Sequence, residues 1–352
     1  MKKVVLTGGG TAGHVTPNIA LLPELKSRGY EVLYIGSYEG MEKGLIEDAG
    51  LPYVGISSGK LRRYHDWKNF TDPFRVIKGY FEARHILKKE QPKAVFSKGG
   101  FVSVPVVLAA KHLGIPAIIH ESDMTPGLAN KIAMRGATKI CCNFPETMNY
   151  LPKEKAVLSG CPIRKELLSG SRDKALSFTG LSGNKPILLI IGGSLGSVFV
   201  NTAVRSSLDE LLKDFEIIHL CGKGNLDESL TKTEGYVQYE FISEELPDLF
   251  AAADIVISRA GANAICELLA LQKPNILVPL SLNASRGDQI LNAKSFVKQG
   301  FSYMIEEEEV TSETLLSAVK EVYDNREKYK SAMSQGGQAD AIRTIVDLIE
   351  SI

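Results

Sequence analysis

Half of what this chain says comes from what it lacks. It has five cysteines in 352 residues, at positions 141, 142, 161, 221 and 266. None falls in a Cys-x-x-Cys spacing, and the adjacent pair Cys141–Cys142 cannot ligate one structural zinc in the usual manner, so buried thiols in a reducing compartment are expected. No run reaches the ~18 apolar residues that span a bilayer; the longest, Phe101–Ala110, is interrupted by Ser103 and Pro105. Met1-Lys2-Lys3 leads into only three apolar residues before Thr7, which is too few for a signal peptide. Net charge is zero, but only in total. Residues 1–162 hold 22 Lys and Arg against 14 acids; residues 163–352 hold 19 against 27. A basic first half over an acidic second half points to a negative partner for the first half: a membrane surface or a phosphorylated substrate.

What is present is a repeated plan. Lys2–Pro17 reads KKVVLTGGGTAGHVTP: a short apolar strand, three glycines, then a histidine and an expected helix over Thr16–Gly29. Strand, glycine turn and helix together offer backbone N–H groups to an anion. Strands predicted at 31–36, 53–56, 94–97, 117–120, 139–142 and 156–158 alternate with helical stretches, the pattern of a parallel sheet covered on both faces. At Gly160-Cys161-Pro162-Ile163-Arg164 the composition changes, and P-I-L-L-I-I-G-G-S-L-G-S (Pro186–Ser197) starts a second strand and glycine loop. Strands near 215–220, 235–238, 254–258, 275–279 and 301–305 complete a second sheet. The fold class is therefore α/β, with two Rossmann-like doubly wound domains facing across a cleft; residues 1–160 form the first, 161–337 the second, and 338–352 a final helix.

Gly8, Gly10 and Gly13 match Gly-x-Gly-x-x-Gly, but the second strand closes in Gly36-Ser37-Tyr38 without the acid that a dinucleotide's ribose requires, which argues against a dehydrogenase. Between Gly59 and Lys93, ten Lys and Arg stand against four acids and alternate with Leu61, Tyr64, Trp67, Phe70, Phe74, Ile77, Tyr80 and Phe81. That mixture suits either an amphipathic helix packed on the core or a patch that dips into anionic lipid. Ser97-Lys98-Gly99-Gly100 is another candidate cradle. His120 and Glu121 follow at a strand end, where adjacent side chains point to opposite faces, so at most one meets a ligand and the other braces a loop. In the second half, Ser258–Glu267 (SRAGANAICE) places a helix start beside small residues, suiting a diphosphate, with Glu267 one turn on and able to accept from ribose hydroxyls. Asp288, Gln289 and Asn292 can bond a polyhydroxylated ligand.

Six motifs in order, GGGTAGHVTP, HES-x-x-x-PG-LANK, GCPIR, GGSLGS, SRAGANAICELL and GDQILNAK, span the chain, which resembles the MurG family of N-acetylglucosaminyltransferases. The resemblance implies the GT-B glycosyltransferase fold and an inverting hexosyltransferase of peptidoglycan synthesis. Its donor is UDP-N-acetylglucosamine and its acceptor is the undecaprenyl-pyrophosphoryl-N-acetylmuramyl-pentapeptide lipid I. It implies a peripheral protein on the cytoplasmic face of the cell membrane, cell-wall synthesis proteins as candidate partners, no nucleic acid, and no bound metal or cofactor. By the same resemblance the acceptor diphosphate lies at Gly9–Gly13, with Thr11, Ala12 and Gly13, and at Lys98–Gly100. Arg164 and Ser194 meet the donor's phosphate and ribose, and the Ile242 backbone meets uracil. Ala262, Asn263 and Ala264 cradle the diphosphate, Glu267 binds ribose, and Asp288 and Gln289 bind the sugar. Asp123 stands where the family often carries an amide, and Asp288 where it carries another; both substitutions remove a donor. His14 is the expected base and Glu121 the second candidate. The alternatives are a sugar-nucleotide epimerase, which has no use for the basic aromatic stretch, a glycosyltransferase with another lipid acceptor, and a non-catalytic sugar-nucleotide scaffold.

Overall fold

The computed structural model describes residues 2–59, 68–193, 196–336 and 340–352, with backbone only at 68–71 and 73. Leu61, Tyr64, Trp67 and Ser194, singled out above, lie outside the described residues, as does the side chain of Phe70. The chain divides into two compact units, Met1–Arg164 with Ala339–Ile352, and Lys165–Gln338.

Unit 1 runs β1 (Lys2–Thr7), α1 (Thr16–Ala20), α2 (Leu22–Ser27), β2 (Tyr30–Ser37), α3 (Met41–Asp48), β3 (Tyr53–Ile56), α4 (Lys68–Glu90), β4 (Ala94–Ser97), α5 (Ser103–His112), β5 (Ala117–Glu121), α6 (Leu128–Ala133), β6 (Lys139–Cys142) and β7 (Ala156–Leu158). Unit 2 continues with α7 (Arg172–Thr179), β8 (Ile187–Ile191), α8 (Val198–Ser206), α9 (Leu208–Asp214), β9 (Glu216–Leu220), β10 (Tyr236–Tyr239), α10 (Leu246–Ala252), β11 (Ile255–Ser258), α11 (Ala262–Ala270), β12 (Asn275–Leu277), α12 (Asp288–Lys298), β13 (Tyr303–Met304), α13 (Ser312–Asp324) and α14 (Arg326–Gln335). The last helix, α15 (Ala341–Ser351), belongs to unit 1.

The strand order is β3-β2-β1-β4-β5-β6-β7 in unit 1 and β10-β9-β8-β11-β12-β13 in unit 2, all pairings parallel. Both faces are covered, and the strands are accordingly near-continuous apolar runs such as VVL and ILLII. Each order reverses direction at one point, between β1 and β4 and between β8 and β11, where the chain ends of neighbouring strands open a crevice. Thr7 pairs with Ser97 and Ile191 with Ser258, so each glycine loop leaves its sheet level with a second loop.

The helix expected over Thr16–Gly29 is two helices that break at Leu21. Pro23 has no N–H to donate to Ile19, so the first turn of a new helix is the best place for it. The expected strand over residues 301–305 shortens to Tyr303–Met304. Helix α15 buries Ile342, Ile345, Val346 and Ile349 against Leu21, Leu22 and Leu25 of the first core, and Arg28 bonds both Asp347 and Glu350. All five cysteines are buried and unbridged.

Candidate active site

At the unit 1 switch point, the loop after β1 and the loop after β4 touch through backbone. Gly100 has φ +83°, and a Cβ there would lie 2.2 Å from the Gly9 carbonyl oxygen, so only glycine permits the approach. The first loop is held from below. Asn18 donates to the carbonyls of Thr7 and His14, and Tyr34 donates to that of Gly8 at 2.8 Å. From α3, the buried Glu42 accepts the Gly10 N–H at 3.2 Å with one oxygen and the Ser37 N–H at 2.9 Å with the other. Of the loop N–H groups that the sequence offers to an anion, that of Gly10 is already taken by an internal carboxylate.

His14 ends the single 3-10 turn Ala12–His14. Its Nδ1 lies 3.1 Å from the Gly9 carbonyl and 3.1 Å from Thr11 Oγ1. A carbonyl only accepts, so the proton is assigned to Nδ1 and the lone pair to Nε2. Burial, then the charge of Lys98, push the imidazole pKa down to about 4, against the weaker pull of the Gly9 bond and Glu42. The ring is a neutral base at any physiological pH.

Lys98 is 1% exposed. Its ammonium donates to His120 Nδ1 at 2.8 Å and to Ser122 Oγ at 2.7 Å, and His120 Nε2–H reaches the Gly160 carbonyl at 2.9 Å. With a cation on one nitrogen and a carbonyl on the other, His120 must be neutral, and burial and Lys98 hold its pKa well below the usual value. The neighbouring Glu121 points the other way, as the alternation of a strand requires. Its oxygens accept the N–H groups of Asp123 (3.1 Å) and Gly127 (3.0 Å) and the Asn130 amide (2.8 Å). Burial raises the Glu121 pKa, and those three bonds oppose the rise. Glu121 thus braces the loop that carries the half-buried Asp123.

At the unit 2 switch point, Gly196 takes φ +74° and a Cβ on it would meet the Cys221 carbonyl oxygen at 2.1 Å, which pins the second glycine loop against the exit of β9. Ser197 caps α8 by accepting the Val200 N–H. Helix α11 starts at Ala262 with Gly261 as its N-cap, a residue with no side chain of its own to cap the helix, and a Cβ on Gly261 would meet nothing within 4 Å. Ala262, Asn263 and Ala264 form its first turn and half-buried Glu267 follows one turn later. A glycine N-cap with open space beside it is what an anionic ligand needs. Ile242 sits half-buried in the loop between β10 and α10.

At the start of α12, Asp288 pairs with Arg286 at 2.6 Å, and Gln289 gives its carbonyl oxygen to the Leu280 N–H at 3.1 Å. That bond uses the Gln289 carbonyl oxygen and leaves its amino group as the side chain's donor. Asn292, expected among the sugar-binding groups, is instead buried and donates to the Ala260 carbonyl; one further turn along α12 it faces the sheet. Arg164 ends the first of the two stretches that make up unit 1 and is half-buried. Among the described residues no group of three or more His, Cys, Asp or Glu is placed to hold a metal ion.

Sequence reasoning missed Glu42, Asn18 and Tyr34, which hold the first glycine loop. For Glu42 a signal existed: an acid shortly after the second strand was sought as a ribose ligand. One reaches the glycine loop from α3, as a clamp on Ser37 and Gly10.

Residues 4–142 match the glycosyltransferase family 28 N-terminal domain and residues 187–348 its C-terminal domain. A UDP-N-acetylglucosamine–N-acetylmuramyl-(pentapeptide) pyrophosphoryl-undecaprenol N-acetylglucosamine transferase of Lachnoclostridium phytofermentans is 66% identical over 352 residues, covering 100% of this chain and 99% of the relative. The protein of the same name in Lachnospira eligens is 65% identical and covers 99% of each. Among solved structures, MurG of Acinetobacter baumannii superposes with a TM-score of 0.79 at 28% identity, covering 100% of both chains.

Proposed function

The chain belongs to the MurG family within glycosyltransferase family 28, and from that premise we propose how its residues divide the reaction. The fold is GT-B and the protein is an inverting hexosyltransferase. It moves N-acetylglucosamine from UDP-N-acetylglucosamine to the 4-hydroxyl of lipid I, giving lipid II for peptidoglycan. Relatives of this identity over the whole chain favour that reading over a sugar-nucleotide epimerase.

Unit 1 takes the acceptor. Thr11, Ala12, Gly13 and the Lys98–Gly100 loop lie along its diphosphate and Asp123 faces its sugar. His14 Nε2 removes the hydroxyl proton as the oxygen attacks the anomeric carbon; the bond to UDP breaks and UDP leaves with the electron pair. The observation that carries this role is the Nδ1–H bond to Gly9, which fixes the tautomer and leaves Nε2 as the lone-pair nitrogen. An anionic acceptor beside the ring raises its low pKa toward neutrality, so substrate binding strengthens the base. Glu121 positions the loop of Asp123.

Unit 2 takes the donor. The start of α11 receives the diphosphate through Ala262, Asn263 and Ala264, where leaving-group charge develops, and Arg164 and Ser194 add to it. Glu267 accepts from the ribose hydroxyls, the Ile242 backbone reads uracil, and Gln289 donates to the sugar. Asp288 acts there as an ion pair with Arg286, a form with little net charge. No metal or organic cofactor enters the scheme.

Attachment to the membrane is peripheral, through α4. No helix among the described residues is long and apolar enough to cross a bilayer. On α4, Phe74, Ile77 and Phe81 are 73%, 55% and 61% exposed at helical spacing, with exposed Arg75 and Lys78 between them. Apolar side chains flanked by cations suit an anionic lipid surface. Incubation with radiolabelled UDP-N-acetylglucosamine and a short-chain lipid I analogue tests the reaction. Label appearing in the lipid is expected; donor binding without label transfer would overturn the transferase reading.

A further inference from the structure

Arg259 is the first residue beyond β11 and is 8% exposed, yet it carries a full charge. A buried guanidinium is costly unless its donors are matched, so its partners show what it is for. Nη2 donates to Ser197 Oγ at 2.7 Å and to Glu307 Oε1 at 2.7 Å. Nη1 donates to the carbonyls of Val278 (3.0 Å) and Pro279 (3.3 Å). Those partners lie on the chain leaving β8, β12 and β13, while Arg259 itself leaves β11. One side chain therefore ties together four neighbouring strand exits.

The connection runs on at both ends. Ser197, while accepting from Arg259, also caps α8 behind the glycine loop. Glu307 uses its second oxygen to accept the Ser281 N–H at 3.0 Å. The adjacent Leu280 N–H is the group that orients Gln289. Although burial opposes it, bonding to Arg259 and to Ser281 holds the Glu307 carboxyl below its usual range, as expected of an ionised partner.

We propose that Arg259 is a shared positioning residue with two branches: through Ser197 it sets the end of the glycine loop after β8, where the donor's diphosphate is recognised, and through Glu307 it sets the Leu280–Gln289 segment, where the hexosamine is recognised. The ligand assignments of those two segments rest on the donor reading above; the mechanical coupling does not. Lysine cannot replace the arginine, because a single ammonium lacks the fork that reaches Ser197, Glu307 and two carbonyls together.

Two measurements on the full chain separate these layers. The first is amide hydrogen exchange without ligand. In Arg259→Lys, faster exchange is expected in both 196–206 and 279–289, and in Glu307→Gln only in 279–289. Exchange unchanged in Arg259→Lys would overturn the shared contact, and exchange changed in 196–206 by Glu307→Gln as strongly as by Arg259→Lys would overturn the division into two branches. The second is calorimetric affinity for UDP and for UDP-N-acetylglucosamine. Glu307→Gln is expected to leave UDP affinity within ~2-fold while reducing the advantage of the sugar nucleotide over UDP by ~5–20-fold, the scale of the difference between a charge-assisted and a neutral hydrogen bond. Ser197→Ala is expected to weaken both ligands in equal proportion. Equal weakening of both ligands by Glu307→Gln would overturn the division of labour. If the unaltered protein binds neither ligand, the donor reading fails while exchange still decides the coupling. Thermal unfolding of Glu307→Gln, a near-isosteric change, guards against misreading a folding defect in Arg259→Lys.

Discussion

The two switch points are built from the same sequence idea, a strand running into glycines, yet they rest on buried charges of opposite sign. Under the first loop lies Glu42, a carboxylate bonded to Gly10. Beside the second lies Arg259, a guanidinium bonded to Ser197. The electrostatic expectation is that Glu42 repels an anion at Gly10, whereas Arg259, its charge matched by Glu307, sets no such repulsion at the second loop. Glycine loops of this kind therefore do not encode an anion site alone; the charge beneath them decides how an anion is received.

The sharpest way to break the comparison is His14→Ala, because it removes a group that only the first switch point has. Turnover should fall by ~100-fold or more, with affinity for UDP-N-acetylglucosamine nearly unchanged, as measured by steady-state kinetics and calorimetry. A loss of only a few fold would remove the histidine as base. Next in size is Glu42→Ala, which strands the amides of Ser37 and Gly10. Unit 1 should lose ~1–3 kcal/mol in denaturant unfolding for the uncompensated buried donors. In the same variant the loop gains affinity for inorganic pyrophosphate, since the repelling charge is gone; weaker pyrophosphate binding would contradict the electrostatic contrast.

Lys98→Met tests the cation on the first side. His14 faces Lys98 from the end of β4 and Glu42 from α3, and burial contributes more to its low pKa than Lys98 does. Removing the ammonium should therefore raise the His14 pKa only part of the way toward 6.5. The acid limb of the kcat/KM profile then moves to higher pH, and NMR titration of the ring gives the same shift directly. A limb that stays in place would show that Lys98 does not tune the base.

A smaller effect concerns stability in acid. His120 and His219 are both fully buried; burial comes first and Lys98 second for His120, while burial and then Arg205 push His219 down to about 3. Each is neutral when folded and takes up a proton near pH 6.5 when unfolded. The unfolded state therefore binds more protons below that pH, and stability falls as pH drops from 6.5 toward the folded values. The slope is ~1.4 kcal/mol per pH unit for each histidine, read from denaturant midpoints. The smallest expected change is in lipid association. Phe74→Ser with Phe81→Ser should reduce partition onto anionic vesicles by ~10-fold or more without altering the melting temperature, since both rings are exposed.

The alternation of strands and helices, both glycine loops and the start of α11 were legible in the sequence, because apolar periodicity and turn chemistry are local properties. Pro23 carried the break between α1 and α2 as well, although the apolar pattern running through it obscured the boundary. The antiparallel pointing of His120 and Glu121 followed from strand geometry, but which of them met Lys98 did not. Even the acid near the second strand was visible as a residue type, while its task was not.

The pair of parallel sheets, and the glycines and helix starts at their carboxyl ends, each arise within a few consecutive residues and can be read along the chain. Which charge lies under which loop cannot, because it depends on contacts between distant segments. Glu42 meets Gly10 across 32 residues, and Arg259 meets Ser197 across 62. Contacts at such separations leave no periodic trace in the chain. They exist because parallel strands with crossover helices bring distant strand ends to one edge, where a buried charge must find its partners.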